Sequence, residues 1–271
     1  MITLKARDPH GHKGNYGKIL IIAGSNGMAG AAVLCAKGAF RSGAGLVQVS
    51  IDSSMFPIIH MSVPEATCVN RDSILDNLSL YQAIIFGPGT GMGSEVSELL
   101  HQIIKNYTKT IVIDADGLNI LAEGNNKEWL RDTRAKIIIT PHIGEAMRFL
   151  GVDKEEMNRF TREEIALELY RHTGAIVVLK GHATFVYDGN IYWVNDNGNA
   201  GMATAGTGDV LAGIIGSLCG QGYEPDFSAK AGVQIHGLAG DLAKGEFGEA
   251  GLMASDLCYY TAKAIQQIMR V

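Results

Sequence analysis

Two textures alternate along the chain. Short unbroken apolar runs rich in branched aliphatics occupy Lys18–Ser25, Leu46–Ile51, Ala83–Gly87, Thr110–Asp114, Lys136–Thr140 and Ala175–Lys180. Continuous runs, rather than period-two alternation, mark parallel strands covered on both faces. Between them lie the longer helical stretches Met28–Arg41, Ser94–Asn106 and Arg162–Thr173. A βαβα succession of this kind predicts a doubly wound, mostly parallel sheet with helices on either side.

The alternation ends after Lys180. Ala183–Tyr187 and Ile191–Val194 flank Asp188-Gly189-Asn190, which reads as a hairpin. Three further helices follow, over Asp209–Gly220, Phe227–Lys244 and Ser255–Met269, the first two rich in Ala and Gly. The expectation is a parallel sheet, an antiparallel hairpin extension and a C-terminal helical layer. No shift in composition marks a linker, so residues 1–271 are expected to form a single domain.

Composition narrows the function classes. Apolar residues at 46% and charged residues at 19% fit an ordinary globular chain. A formal net charge of −5 provides no general attraction for nucleic acid or an anionic membrane, so bound phosphates must be held by local devices. Cys35, Cys68, Cys219 and Cys258 are scattered, without a CxxC pair or zinc-ligand spacing, and read as free thiols in a reducing compartment. With no apolar h-region in residues 1–9 and no apolar run of about 18 residues, a cytoplasmic protein is expected. The 34 glycines stand out against a usual share of about 7%. They cluster, as they do where backbone approaches a ligand.

In open α/β sheets, ligands sit beyond the carboxyl ends of the strands. Turns bearing glycine, proline or acids follow Ile22, Phe86, Ile113 and Ile139, and the hairpin exit at residues 195–208 adds a fifth. The strongest local signal is Asn199–Gly213 (NAGMATAGTGDVLAG), where Gly206, Thr207 and Gly208 precede Asp209 at a helix start. Free backbone N–H groups and the helix dipole would make an anion hole there, and Asp209 would accept a hydroxyl proton. The plainer alternative makes Asp209 an N-cap.

Weaker motifs leave more open. Gly24–Gly30 follows GxxGxxG rather than GxGxxG, so it reads as a substrate-side loop instead of a dinucleotide fingerprint. Gly17-Lys18 runs into Ile19, and position 12 is His12, so no Walker A loop exists. Gly87–Gly91 forms a glycine wall at a strand end. Asp114 and Asp116 suit magnesium or substrate contact as well as helix capping and turn formation. His142, with Glu145 one turn on, and Lys180 at its strand end are candidate ligand contacts, whereas His236, mid-helix, reads as packing or interface.

Taken in order, these turns resemble the ADP/ATP-dependent NAD(P)H-hydrate dehydratases of the ribokinase-like superfamily. The resemblance spans about His12 to Ala243 and rests on Lys13–Lys18 (KGNYGK), Gly38–Val47 (GAFRSGAGLV), Gly87–Gly91 (GPGTG) and Asp114–Asn119 (DADGLN). Thr140–Glu145 (TPHIGE), Lys180–Thr184 (KGHAT) and the Asn199–Gly213 segment complete it. It implies a ribokinase-like three-layer fold and ADP- or ATP-dependent dehydration of the S-epimer of hydrated NADH or NADPH. By similarity, Ala39, Gly91, His142 and Asp209 would contact the hydrated dinucleotide. Lys180, Gly181, His182, Ala183, Thr184 and Gly208 would hold the adenosine nucleotide. Mg2+, a homotetramer and a separate NAD(P)H-hydrate epimerase are implied in the same way. Sugar kinases of the superfamily often carry Asn where this chain has His142, which weakens the rival reading as a sugar or vitamin kinase. A non-catalytic nucleotide sensor is the rival from another class, and the retained Asp209 argues against it.

Overall fold

The computed structural model describes residues 2–269. Among them, nine strands form one sheet in the order β3-β2-β1-β4-β5-β6-β7-β8-β9. The parallel strands are β1 (Lys18–Ile22), β2 (Leu46–Ser50), β3 (Thr67–Val69), β4 (Ala83–Phe86), β5 (Thr110–Ile113), β6 (Lys136–Ile139) and β7 (Ile176–Leu179). The hairpin strands β8 (Phe185–Tyr187) and β9 (Tyr192–Val194) continue the sheet antiparallel. At the hairpin's turn, Asp188 Oδ1 accepts from the N–H groups of Asn190 and Ile191. Strand β3 has only three residues, too few to carry a readable pattern.

The expected strands are therefore present, each trimmed at one or both ends, and so are the expected long helices. These are α1 (Ala29–Arg41), α3 (Ser94–Asn106), α7 (Arg162–Thr173), α8 (Thr207–Gly220), α9 (Pro225–Gly251) and α10 (Ala254–Met269). Four shorter helices join them: α2 (Phe56–Ser62), α4 (Asp116–Ala122), α5 (Ile143–Leu150) and α6 (Lys154–Met157). Helix α9 runs past the expected Lys244 and is interrupted at Gly248, whose φ of 68° is not helical. None of the described helices is long and apolar enough to cross a membrane.

Alternate residues of the buried strands feed two cores. Leu20, Ile22, Phe86, Ile113 and Ile139 pack with α3, α4, α5 and α7 on one face. Ile19, Ile21, Ile85, Val112 and Ile138 pack with α1 and α8 on the other. A third apolar cluster fills the space between α8, α9 and α10, and makes the C-terminal layer. Glycine sets the α1–α8 distance: a Cβ on Gly213 would lie 2.2 Å from the Cys35 carbonyl oxygen. No side chain fits there without moving a helix.

Parallel register aligns the strand ends that matter. Ile22 pairs with Phe86, Phe86 with Ile113, and Ile113 with Ile139. The four turns that follow these residues consequently open on one edge of the sheet, and α8 begins at that edge.

Candidate active site

Helix α8 starts from Gly206, its N-cap, held at a φ of 90°. Thr207 stiffens the approach by donating its hydroxyl to the carbonyls of Met202 and Thr204, both at 3.1 Å. Within the described residues, the amides of Thr207, Gly208 and Asp209 have no acceptor. Three unpaired donors at the positive end of a helix are an anion site in waiting. Asp209 is not the N-cap, since that place belongs to Gly206. Its carboxylate accepts no hydrogen bond from the described residues and is held by no cap.

The surroundings of Asp209 change its chemistry. Burial raises its carboxyl, the charge of Asp114 raises it further, and Lys180 offsets only part, leaving it at about 7. A carboxylate poised there suits proton transfer near neutral pH.

Lys180 directly follows β7, against the turn. Its Nζ donates to Asp114 Oδ1 at 2.6 Å and lies 3.8 Å from Glu145 Oε2. Asp114 is 1% exposed and Glu145 6%, so the ammonium is gripped by two buried carboxylates. Burial pulls Lys180 down, yet Asp114 and Glu145 outweigh it and hold the group above the usual lysine value. It is thus neither a solvated strand-end lysine nor a free cation. A Cβ built on Gly208 would sit 3.3 Å from Lys180 Nζ, so the cation lies against the anion turn.

A cleft of about 630 Å³ runs from this cluster along the hairpin. Lys180, Gly181, His182, Ala183 and Thr184 line one side, with Thr207 and Gly208 at its end. Gly181 (φ 142°) and Ala183 (φ 52°) turn the backbone sharply there. The opposite wall, residues 195–199, is tied to α9: Asp241 accepts from the Gly198 N–H and from Asn199 Nδ2. The six residues expected to hold a nucleotide therefore lie together around one cleft.

The sequence model of the NAD(P)H-hydrate dehydratases matches residues 19–263. The chain belongs to this family. The ADP-dependent (S)-NAD(P)H-hydrate dehydratase of Neisseria meningitidis is 39% identical over 260 residues, which cover 94% of this chain and 87% of that one. The bifunctional NAD(P)H-hydrate repair enzyme Nnr of Thermofilum pendens is 36% identical, covering 98% of this chain. The chain spans about half the length of such bifunctional relatives, 53% in that case. The ADP/ATP-dependent NAD(P)H-hydrate dehydratase of Bacillus subtilis, crystallised with ATP/Mg2+, superposes with a TM-score of 0.88 at 30% identity, over 98% of this chain and 95% of that one. The fold is the ribokinase-like one, as expected.

The remaining positions expected of a hydrate dehydratase separate. Gly91 adopts a φ of 75°, its N–H donates to Asp116 Oδ2 at 2.8 Å, and a Cβ built on it would meet only Ser25 Oγ, 4.0 Å away. Asp116 thus shapes the glycine wall, which is the turn-forming reading of this acid. His142 caps α5: its Nδ1 accepts from the Glu145 N–H, and Glu145 Oε2 accepts from the His142 N–H. Its ring remains exposed. Ala39 is placed differently from Gly91 and His142. It has no exposed surface, being pressed beneath α8, where the added Gly213 Cβ would lie 3.0 Å from its nitrogen. No atom of Ala39 is open to a ligand in this conformation, because glycine brings the two helices into contact there.

His236 departs from the sequence reading. It lines the cleft, and its Nε2 lies 2.9 Å from the Thr207 carbonyl oxygen. Nothing local in residues 232–237 signals a contact made 29 positions away.

Proposed function

We propose that this chain catalyses the ADP- or ATP-dependent dehydration of the S-epimer of hydrated NADH or NADPH, restoring the reduced dinucleotide. The observation that carries the reading is a carboxylate at about 7, without a hydrogen-bond partner among the described residues, beside three free amides at the mouth of a nucleotide-sized cleft. The activities of its relatives support the substrate class.

Hydroxide is a poor leaving group, and phosphorylation makes it a good one. Asp209 accepts the proton of the ring hydroxyl as that oxygen takes the terminal phosphoryl group of the nucleotide. The amides of Thr207, Gly208 and Asp209 face the charge on the transferring group, where fixed dipoles act without reorganising. The ring nitrogen's lone pair then expels phosphate as the C–O bond breaks, and loss of a proton from the adjacent ring carbon restores the double bond. ADP would leave as AMP and ATP as ADP, each with one phosphate.

The nucleotide would lie along Lys180–Thr184, with Gly208 at its phosphates, and the hydrated ring between Asp209, Gly91 and the exposed edge of His142. Mg2+ would ride on the phosphates. Asp114 and Glu145 are committed to Lys180, and no three acidic, imidazole or thiol groups converge on a cation among the described residues. Magnesium in phosphoryl transfer commonly keeps its waters and takes one or two carboxylates at most. A homotetramer, a cytoplasmic location and a separate epimerase to supply the S form go with this reading.

The test is recovery of dihydronicotinamide absorbance from chemically hydrated NADH and NADPH, with ADP and ATP in parallel. Recovery that needs nucleotide supports the reading. A stable phosphorylated product from a hydroxymethyl or hydroxyethyl heterocycle, with no recovery, would replace it by a kinase.

A further inference from the structure

His236 sits in the middle of α9, and no step above uses it. Its ring is half-buried against the start of α8. Burial pulls the imidazole down to about 4, so it is neutral near pH 7 and adds no charge to the cleft. Of its two ring nitrogens, the one facing a carbonyl oxygen must carry the hydrogen. Nε2 therefore donates to Thr207 O at 2.9 Å.

That carbonyl is one half of a peptide unit. A planar trans peptide points its C=O and the following N–H in opposite directions. Holding the Thr207 oxygen toward α9 aims the Gly208 N–H the other way, out of the helix end. No other side chain among the described residues does this job. The N-cap is a glycine without a side-chain cap bond, and the Thr207 hydroxyl is spent on Met202 and Thr204.

We propose that His236 is a positioning residue for the anion-binding turn: its Nε2–H fixes the Thr207–Gly208 peptide so that the Gly208 amide meets the phosphoryl group. The inference rests on reading residues 206–209 as the phosphate site. A carbonyl that is free to tilt lets the amide swing off line, which weakens the grip on phosphate without touching the rest of the nucleotide.

Two variants test it. His236→Leu keeps apolar bulk and deletes the donor, and His236→Gln offers an amide N–H at a similar reach. Each is melted, titrated calorimetrically with ADP and with adenosine, and assayed on hydrated NADH. The expected result is about tenfold weaker ADP binding by the Leu variant, the usual scale for one lost hydrogen bond. Adenosine binding should stay within about twofold, and the Gln variant should recover most of the ADP affinity. Wild-type ADP affinity in the Leu variant overturns the proposal. So does an equal loss for ADP and adenosine, or a folded Gln variant as impaired as Leu. If Leu does not fold, the Gln variant decides by the same criterion, and folding in neither assigns His236 to packing and overturns it. A wild-type protein that binds ADP no better than adenosine would sink the phosphate-site reading itself, a failure visible before any variant is made.

Discussion

The Gly206–Asp209 turn and the His142–Glu145 corner look alike in sequence, and the structure uses them differently. Each pairs a glycine with an acid and opens a helix. At the corner, the polar groups satisfy one another: ring nitrogen to amide, carboxylate to amide, a complete capping box. At the turn, three amides and a carboxylate have no partner among the described residues. Capping is enough to explain His142 and Glu145, and it explains nothing about Asp209. A motif becomes a reaction-site candidate when its polar groups are left over after the fold has taken what it needs.

The largest effect expected from this contrast is at Asp209. Asp209→Asn keeps size and removes the base, so turnover on hydrated NADH should fall by about 10²–10⁴-fold while ADP still binds. Calorimetry and the absorbance assay separate the two. Turnover within tenfold of wild type would erase the difference between turn and corner. Lys180 joins the regions, because its ammonium touches Asp114 and Glu145 and lies against Gly208. Lys180→Met strands two buried carboxylates, and breaking such a pair costs about 3 kcal/mol or more in unfolding free energy. Lys180 also lowers Asp209. The rising limb of kcat/KM against pH, centred near 7 in the wild type, should therefore move to higher pH in any folded Lys180→Met enzyme. An unmoved limb would detach Lys180 from the turn.

A stability measurement sharpens the same point. The Asp209 carboxyl is raised from its ordinary value of 3.8 to about 7. The folded state then binds that proton more tightly than the unfolded chain. Its contribution is complete below about pH 4 and is lost as pH climbs toward 7. Asp209→Asn removes the loss. Its Tm should match the wild type below about pH 4 and exceed it by a few degrees at pH 8, as relief of buried charge commonly does. A Tm difference that is the same at both pH values would mean that the carboxyl is not raised.

Much of this was legible in the chain. Unbroken aliphatic runs gave away β1, β4, β5 and β6, and glycine density around an acid marked the α8 turn. What stayed hidden depends on distance in sequence. The Lys180–Asp114 pair joins residues 66 apart and follows from the adjacency of β5, β6 and β7, which no local spacing reveals. His236 reaches Thr207 only because α9 lies on α8. Ala39, a position carried over by similarity, lies sealed under a helix in this conformation, and only packing could show that. Short helices such as α4 escaped because they start from strand-end turns, here through Ala115 at a φ of 47°, rather than from an amphipathic pattern.

The smallest effect expected is at the corner, and it tests the contrast from the other side. His142→Ala removes the ring nitrogen that receives the Glu145 amide, so it should cost about 1 kcal/mol in unfolding free energy, as lost caps do. Glu145 loses its orientation with the cap, but Lys180 keeps the Asp114 bond at 2.6 Å, so the cation stays in place. If the exposed edge of His142 touches the hydrated ring, KM rises by less than about tenfold and kcat holds, since such an edge contributes binding rather than chemistry. A hundredfold fall in kcat with unchanged stability would give the corner a chemical role equal to Asp209. The rule that satisfied polar groups belong to the fold would then fail in this protein.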